Sequence, residues 1–165
     1  MNKTNDFICN TQSQEVKSKN LKRTMLACLV ITGAFAVQAV VNITQWILWN
    51  VWTVIGFSNF LYHLTWNIAI LIFFFTILFL YWSHKAFHQI LAKGMNIIGI
   101  LFLVVAFIVP RISDSVSVPS GMSFIRYHDF ILADGVYIIL GVICLLVGVL
   151  FLNGYRLQNE VDAIL

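Results

Sequence analysis

Charge is what this chain has least of. Of its 165 residues only 10% are Asp, Glu, Lys or Arg, against 60% apolar, where an ordinary soluble domain carries about 25% charged residues. A soluble domain this short leaves much of its surface in water, so it has nowhere to put so much hydrocarbon. A bilayer removes the difficulty by acting as the solvent for that surface. Cysteine is scarce as well. Cys9, Cys28 and Cys144 form no Cys-x-x-Cys pair, which argues against thioredoxin-like or quinone-linked disulfide chemistry. The two inside apolar runs read as small buried side chains. There is no phosphate loop, nucleophile elbow, His-Glu-x-x-His or dinucleotide fingerprint. Acid is missing from the apolar runs, where only Asp134 falls, at the edge of the last one. Proton-coupled transporters keep ionisable groups near the midplane, so their lack argues against a proton pump or a drug/proton antiporter. Asp134 reads instead as a helix-start residue favoured by the helix dipole.

What is present is a set of uncharged runs long enough to cross about 30 Å of hydrocarbon, which takes about 20 helical residues. Spans are predicted over 25–47, 61–82, 95–109 and 134–152. The third is short and has a possible start near Leu91. Pro110 is expected to end it, and Asn153-Gly154 to end the fourth. Between the first two lies an uncharged, Trp-rich stretch, 48–60, with Trp49, Trp52, Phe57 and Phe60 and with Gly56 and Asn59 as breakers. It reads as an interfacial turn or short helix in the headgroup region. The 111–133 connection is the longest polar one, with a turn at Pro119-Ser120-Gly121 and an alternation over 113–118 that fits a short strand.

The basic residues choose the orientation. Residues 1–24, the 83–94 connection and the tail hold eight of the ten Lys and Arg, while the other two connections hold only Arg111 and Arg126. Basic residues stay on the cytoplasmic side. The predicted fold is therefore an all-α membrane protein of four transmembrane helices with both ends in the cytoplasm and the Trp-rich segment outside. Residues 1–24 form a cytoplasmic polar arm. Residues 25–165 form a single four-helix domain with a short tail at 154–165. Ala34-Phe35-Ala36 imitates a signal-cleavage site, but apolar character continues past it, so the helix is expected to stay. The Leu26-Ala27-Cys28 likeness to a lipoprotein box lacks a preceding apolar stretch.

Few residues suggest chemistry. Gln38, Asn42 and Gln45 share one helix face, with Asn67 of the second span opposite. They read as a polar ligand groove or as interhelical hydrogen bonding, worth about 0.6–2 kcal/mol each. His84 and His88 are spaced i, i+4 and could begin a zinc site, but no third ligand accompanies them, and His63 and His128 fall on the other side. Gly141 and Gly148 line one stripe of the fourth span and read as a packing seam, with Gly33, Ala36 and Ala39 as its expected complement. Asp134, His128 and Asp129 are the only convergent outer candidates for an enzyme. No catalytic, cofactor or metal residue is assigned.

Gly154-Tyr155-Arg156-Leu157-Gln158-Asn159-Glu160-Val161-Asp162 after the last span resembles the closing signature of the bacterial family catalogued as domain-of-unknown-function family 2975. Its members end that span with Gly, then Leu-Gln, then Glu-x-Asp. Phe87 and Ile97-Ile98-Gly99 resemble the family's second landmark, with Ala86 where the family has proline. The likeness covers 83–165. It implies four spans in the inner (cytoplasmic) membrane, cytoplasmic ends, and a helix-turn-helix regulator as partner. It supplies no catalytic residue. The expected partners are the lipid bilayer, a cytoplasmic regulator protein and a second copy of the chain, with no direct nucleic-acid binding. The expected function is that of a non-catalytic accessory, sensor or regulatory protein, with Gly154, Leu157, Gln158, Glu160 and Asp162 as its partner tail. The alternative is a small transporter or immunity-type protein that binds a peptide or lipophilic compound.

Overall fold

The computed structural model describes the backbone of residues 3–83, 89–112, 125–127 and 130–164, and the side chains of 22–83, 89–112, 133–161 and 163. The described residues are helical apart from one short hairpin. In order, its elements are α1 (Lys3–Leu48), α2 (Trp52–Ile55), α3 (Phe57–Ser83), α4 (Gln89–Ile112), β1 (Ile125–Tyr127), β2 (Phe130–Ala133) and α5 (Gly135–Ile164). Stretches of α1, α3, α4 and α5, namely Lys22–Leu48, Phe57–Ser83, Gln89–Ile112 and Gly135–Val161, are long and apolar enough to cross a membrane. The expected strand at 113–118 lies outside the described residues.

The helices satisfy their backbone internally, as hydrocarbon requires, except where Pro110 interrupts α4. The hydroxyls of Thr32, Thr44, Thr65 and Thr76 donate back to the carbonyls of Cys28, Val40, Leu61 and Ile72, four residues earlier, at 2.7–2.8 Å. Threonine therefore sits at membrane depth with no orphan hydroxyl. The end of α1 is a Schellman turn. Asn50 takes φ +47°, the Val51 N–H donates to the Trp46 carbonyl at 3.1 Å, and the Asn50 N–H to Ile47 at 3.4 Å. Gly56, at φ +83°, then separates α2 from α3. Edge-on contacts of Phe60 with Trp46 and Trp52, centroids 6.2 and 5.7 Å apart, pack this connection.

The helices pack in series, α1 on α3, α3 on α4 and α4 on α5. Small residues set how closely they approach. A Cβ on Gly99 would meet the Gly141 carbonyl at 2.9 Å, and one on Gly141 would meet the Gly99 carbonyl at 3.0 Å. Gly148 lies against the Asn96 amide oxygen, and Gly94 against Thr76. The seam expected at Gly141 and Gly148 exists, but its partner is α4. Ala36 and Ala39 are buried within the packing of α1 on α3.

Two helix ends differ from expectation. Pro110 does not stop α4, which continues to Ile112. Proline deprives only the Ala106 carbonyl of its partner, and the Asp134 N–H donates to that carbonyl at 3.0 Å. Asn153-Gly154 does not stop α5, which runs on to Ile164. A glycine ends a helix only where the backbone turns left-handed, and Gly56 is the only described glycine with positive φ.

The seam predicts a ranking. Gly141→Ala forces a Cβ to within 2.8 Å of Leu103 and 3.0 Å of a backbone oxygen, and should cost about 1–3 kcal/mol. Gly33→Ala meets only Phe74, at 3.4 Å, and should change stability by less than about 0.5 kcal/mol. Unfolding of the two variants in mixed micelles measures the difference.

Candidate functional site

Two groups of polar side chains lie toward the end that carries the hairpin. On one side α1 meets α3 through a chain of amides. Gln38 Nε2 donates to Asn42 Oδ1 at 2.9 Å, Asn42 Nδ2 to Asn67 Oδ1 at 3.4 Å, and Asn67 Nδ2 to the His63 carbonyl at 2.7 Å. The face predicted from spacing thus brings Gln38, Asn42 and Asn67 together. Gln45 is exposed and has no part in the chain. The chain ends on a backbone oxygen of α3, so its chemistry is that of a brace between two helices. The His63 ring lies tilted against Trp46, centroids 5.7 Å apart.

On the other side Asp134 joins three elements. Its side chain is 5% exposed. Its Oδ1 accepts from the Val136 N–H at 2.9 Å and the Tyr137 N–H at 3.3 Å, capping α5. Its own N–H closes the gap left by Pro110 in α4. Tyr137 donates its hydroxyl to the Tyr62 carbonyl at 3.2 Å, and the two rings lie 4.9 Å apart. The Tyr62 hydroxyl, in a residue 8% exposed, lies against the Asp134 carboxylate without reaching hydrogen-bond geometry. Phe102 packs edge-on against Tyr137, and Trp66 stacks on Phe102. The capping role of Asp134 was legible from its place before an apolar run. Its bond to Ala106 was not, because Pro110 lies 24 residues upstream.

The bundle also leaves an open apolar hollow where α1 stands off from α4 and α5. One part, about 480 Å³, is lined by Ile31 and Phe35 of α1, Trp66 and Phe73 of α3, and Met95 and Phe102 of α4. A second part, about 400 Å³, is lined by Thr24 and Cys28 of α1, Leu80 of α3, Leu91 of α4 and Phe151 of α5, and shares Phe73 and Met95 with the first. Its walls place the N-terminal end of the α1 span, the end of α3, the start of α4 and the distal part of α5 at one end of the bundle, away from the hairpin.

Beyond that end lies the predicted partner tail, helical through Ile164. Leu157 and Glu160 are exposed, and Gly154 and Gln158 are half-buried. The Gln158 amide oxygen is buried with no hydrogen-bond partner. The side chain of Asp162 lies outside the described residues, as do His84, His88, His128 and Asp129. Among the described residues, no three His, Cys, Asp or Glu gather in a way that could hold a metal.

Comparison with family models, with curated proteins and with solved structures returned no match for this chain.

The junction predicts a graded response at residue 134. Asp134→Ala removes the cap and should cost about 0.5–2 kcal/mol, while Asp134→Asn keeps an acceptor oxygen and should recover most of it. Thermal unfolding in detergent reads both. Asn67→Leu breaks the amide chain and should cost about 0.6–2 kcal/mol by the same measurement.

Proposed function

We propose that this chain is a non-catalytic accessory, sensor or regulatory protein of the cytoplasmic membrane, with both helical extensions in the cytoplasm, acting through a protein partner there. The observation that carries this reading is the pair of helices that outrun the bilayer at one end of the bundle. α1 has 46 residues and is about 69 Å long at 1.5 Å per residue. α5 has 30 and is about 45 Å long. The hydrocarbon they cross is about 30 Å thick. The surplus of α1 precedes its span, and that of α5 follows its own. Eight of ten basic residues fall in the segments at this end, which supports its cytoplasmic placement. In this reading the Trp-rich α1–α3 connection faces outward. The likeness of residues 83–165 to domain-of-unknown-function family 2975 belongs to the same proposal and suggests a DNA-binding regulator as partner.

The open hollow favours a second reading, a small transporter or immunity-type protein that takes up a lipophilic compound. Sensitivity of a deletion strain to a compound and bacteriocin panel separates the two.

The first reading predicts that the full-length protein, solubilised in mild detergent, retains a cytoplasmic protein that Glu160→Ala/Asp162→Ala loses. If nothing is retained, or the double variant retains the same set, the partner tail is refuted. Reporter fusions in the 83–94 segment and at the tail should both report cytoplasm, and opposite sides would refute the orientation.

A further inference from the structure

We infer that the hollow between α1 and α4 seats one acyl chain of an anionic phospholipid, whose phosphate is held by Lys22 and Arg23 at its mouth. Two independent features meet here. The first is the shape and lining of the hollow. Its two parts share Phe73 and Met95 and extend along α1 from Thr24 to Phe35, about 16 Å at the helical rise. The walls are almost entirely hydrocarbon, so water would find no hydrogen-bond partners. A helix of about 10 Å diameter over the same length fills about 1,250 Å³, more than both parts hold. A single hydrocarbon chain is narrow enough to enter.

The second feature is charge. The hollow begins at Thr24 and Met25, directly after four basic residues within seven positions, 17–23, that include no acid. The backbone of α1 is helical through this run, and Lys22 and Arg23 are exposed. A basic run that abuts a membrane span attracts anionic headgroups. The run is continuous with the helix that walls the hollow, so the sites for phosphate and acyl chain are consecutive stretches of one element. This inference stands apart from the cytoplasmic-partner reading, since it needs only the hollow and the charge beside it.

The test uses the full-length protein in detergent, titrated with phosphatidylglycerol or phosphatidylcholine brominated on the acyl chains. Bromine quenches nearby tryptophan, and Trp66 lines the hollow; the signal is the part of the quenching lost in Trp66→Phe. Brominated phosphatidylglycerol should quench Trp66 at a mole fraction about tenfold lower than phosphatidylcholine, and added salt should narrow that gap. The K17Q/K19Q/K22Q/R23Q variant, which removes the charge of the run, should quench alike with both lipids. Thr32→Phe, which fills the hollow without adding a tryptophan, should reduce the Trp66 signal from both. Equal quenching of the unaltered protein by the two lipids would overturn the inference. So would a phosphatidylglycerol preference that survives in the quadruple variant. Crosslinking of two chains through Cys28 in place of lipid protection would show that a second copy fills the hollow, and would overturn it too.

Discussion

Two apolar helices in a bilayer gain nothing from hiding from their solvent, because lipid tails are as apolar as leucine. Association then rests on how closely backbones approach and on the few hydrogen bonds made between helices. In this protein that requirement is met most fully by α4 and α5. Gly99 and Gly141 bring the two backbones together near mid-span, Gly148 admits Asn96 toward one end, and the Ala106 carbonyl accepts the Asp134 N–H at the other. α3 joins through Gly94 and Thr76 and through a small core of Ala69, Ile98 and Phe102. α1 has a weaker claim on its neighbours. It offers Ala36 and Ala39 to α3, while Gly33 meets only a ring edge at ordinary distance. The hollow lies where α1 stands off from α4 and α5, so its position follows from where the small residues are.

The Pro110–Asp134 junction shows how one backbone requirement organises a distant segment. A proline near the end of α4 leaves a carbonyl that hydrocarbon cannot satisfy. The donor comes from the residue where β2 ends and α5 begins, so the hairpin is drawn onto α4 and the start of α5 is fixed in height. The Asp134 side chain then uses its oxygen to cap the helix that follows. One residue thus serves two helices, through its backbone and its side chain, and Tyr62 and Tyr137 close over it.

Much of this architecture was legible. Uncharged runs of sufficient length gave the spans, because lipid imposes that length on any helix that crosses it. Spacing placed Gln38 and Asn42 on one face, and Asn67 meets them. Contacts between distant segments were harder to read. Pro110 looked like a terminator, since a sequence does not show that the orphaned carbonyl finds a donor 28 residues on. Asn153-Gly154 looked like a cap, although the backbone stays right-handed there. The glycines of α5 declared a seam without declaring its partner, because Gly99 of α4 and Gly33 of α1 look alike until the packing is known. The hollow left no mark at all, being defined by where side chains are not.

These features give α1 two unequal halves. Toward the hairpin end it is tied to α3 by the Gln38–Asn42–Asn67 chain and by Trp46 against Phe60 and His63. From Thr24 to Phe35 it faces the hollow instead. Whatever enters the hollow therefore acts on the half of α1 that continues into the basic run. The hollow thus adjoins the segment that carries five of the ten basic residues, and both lie along one helix.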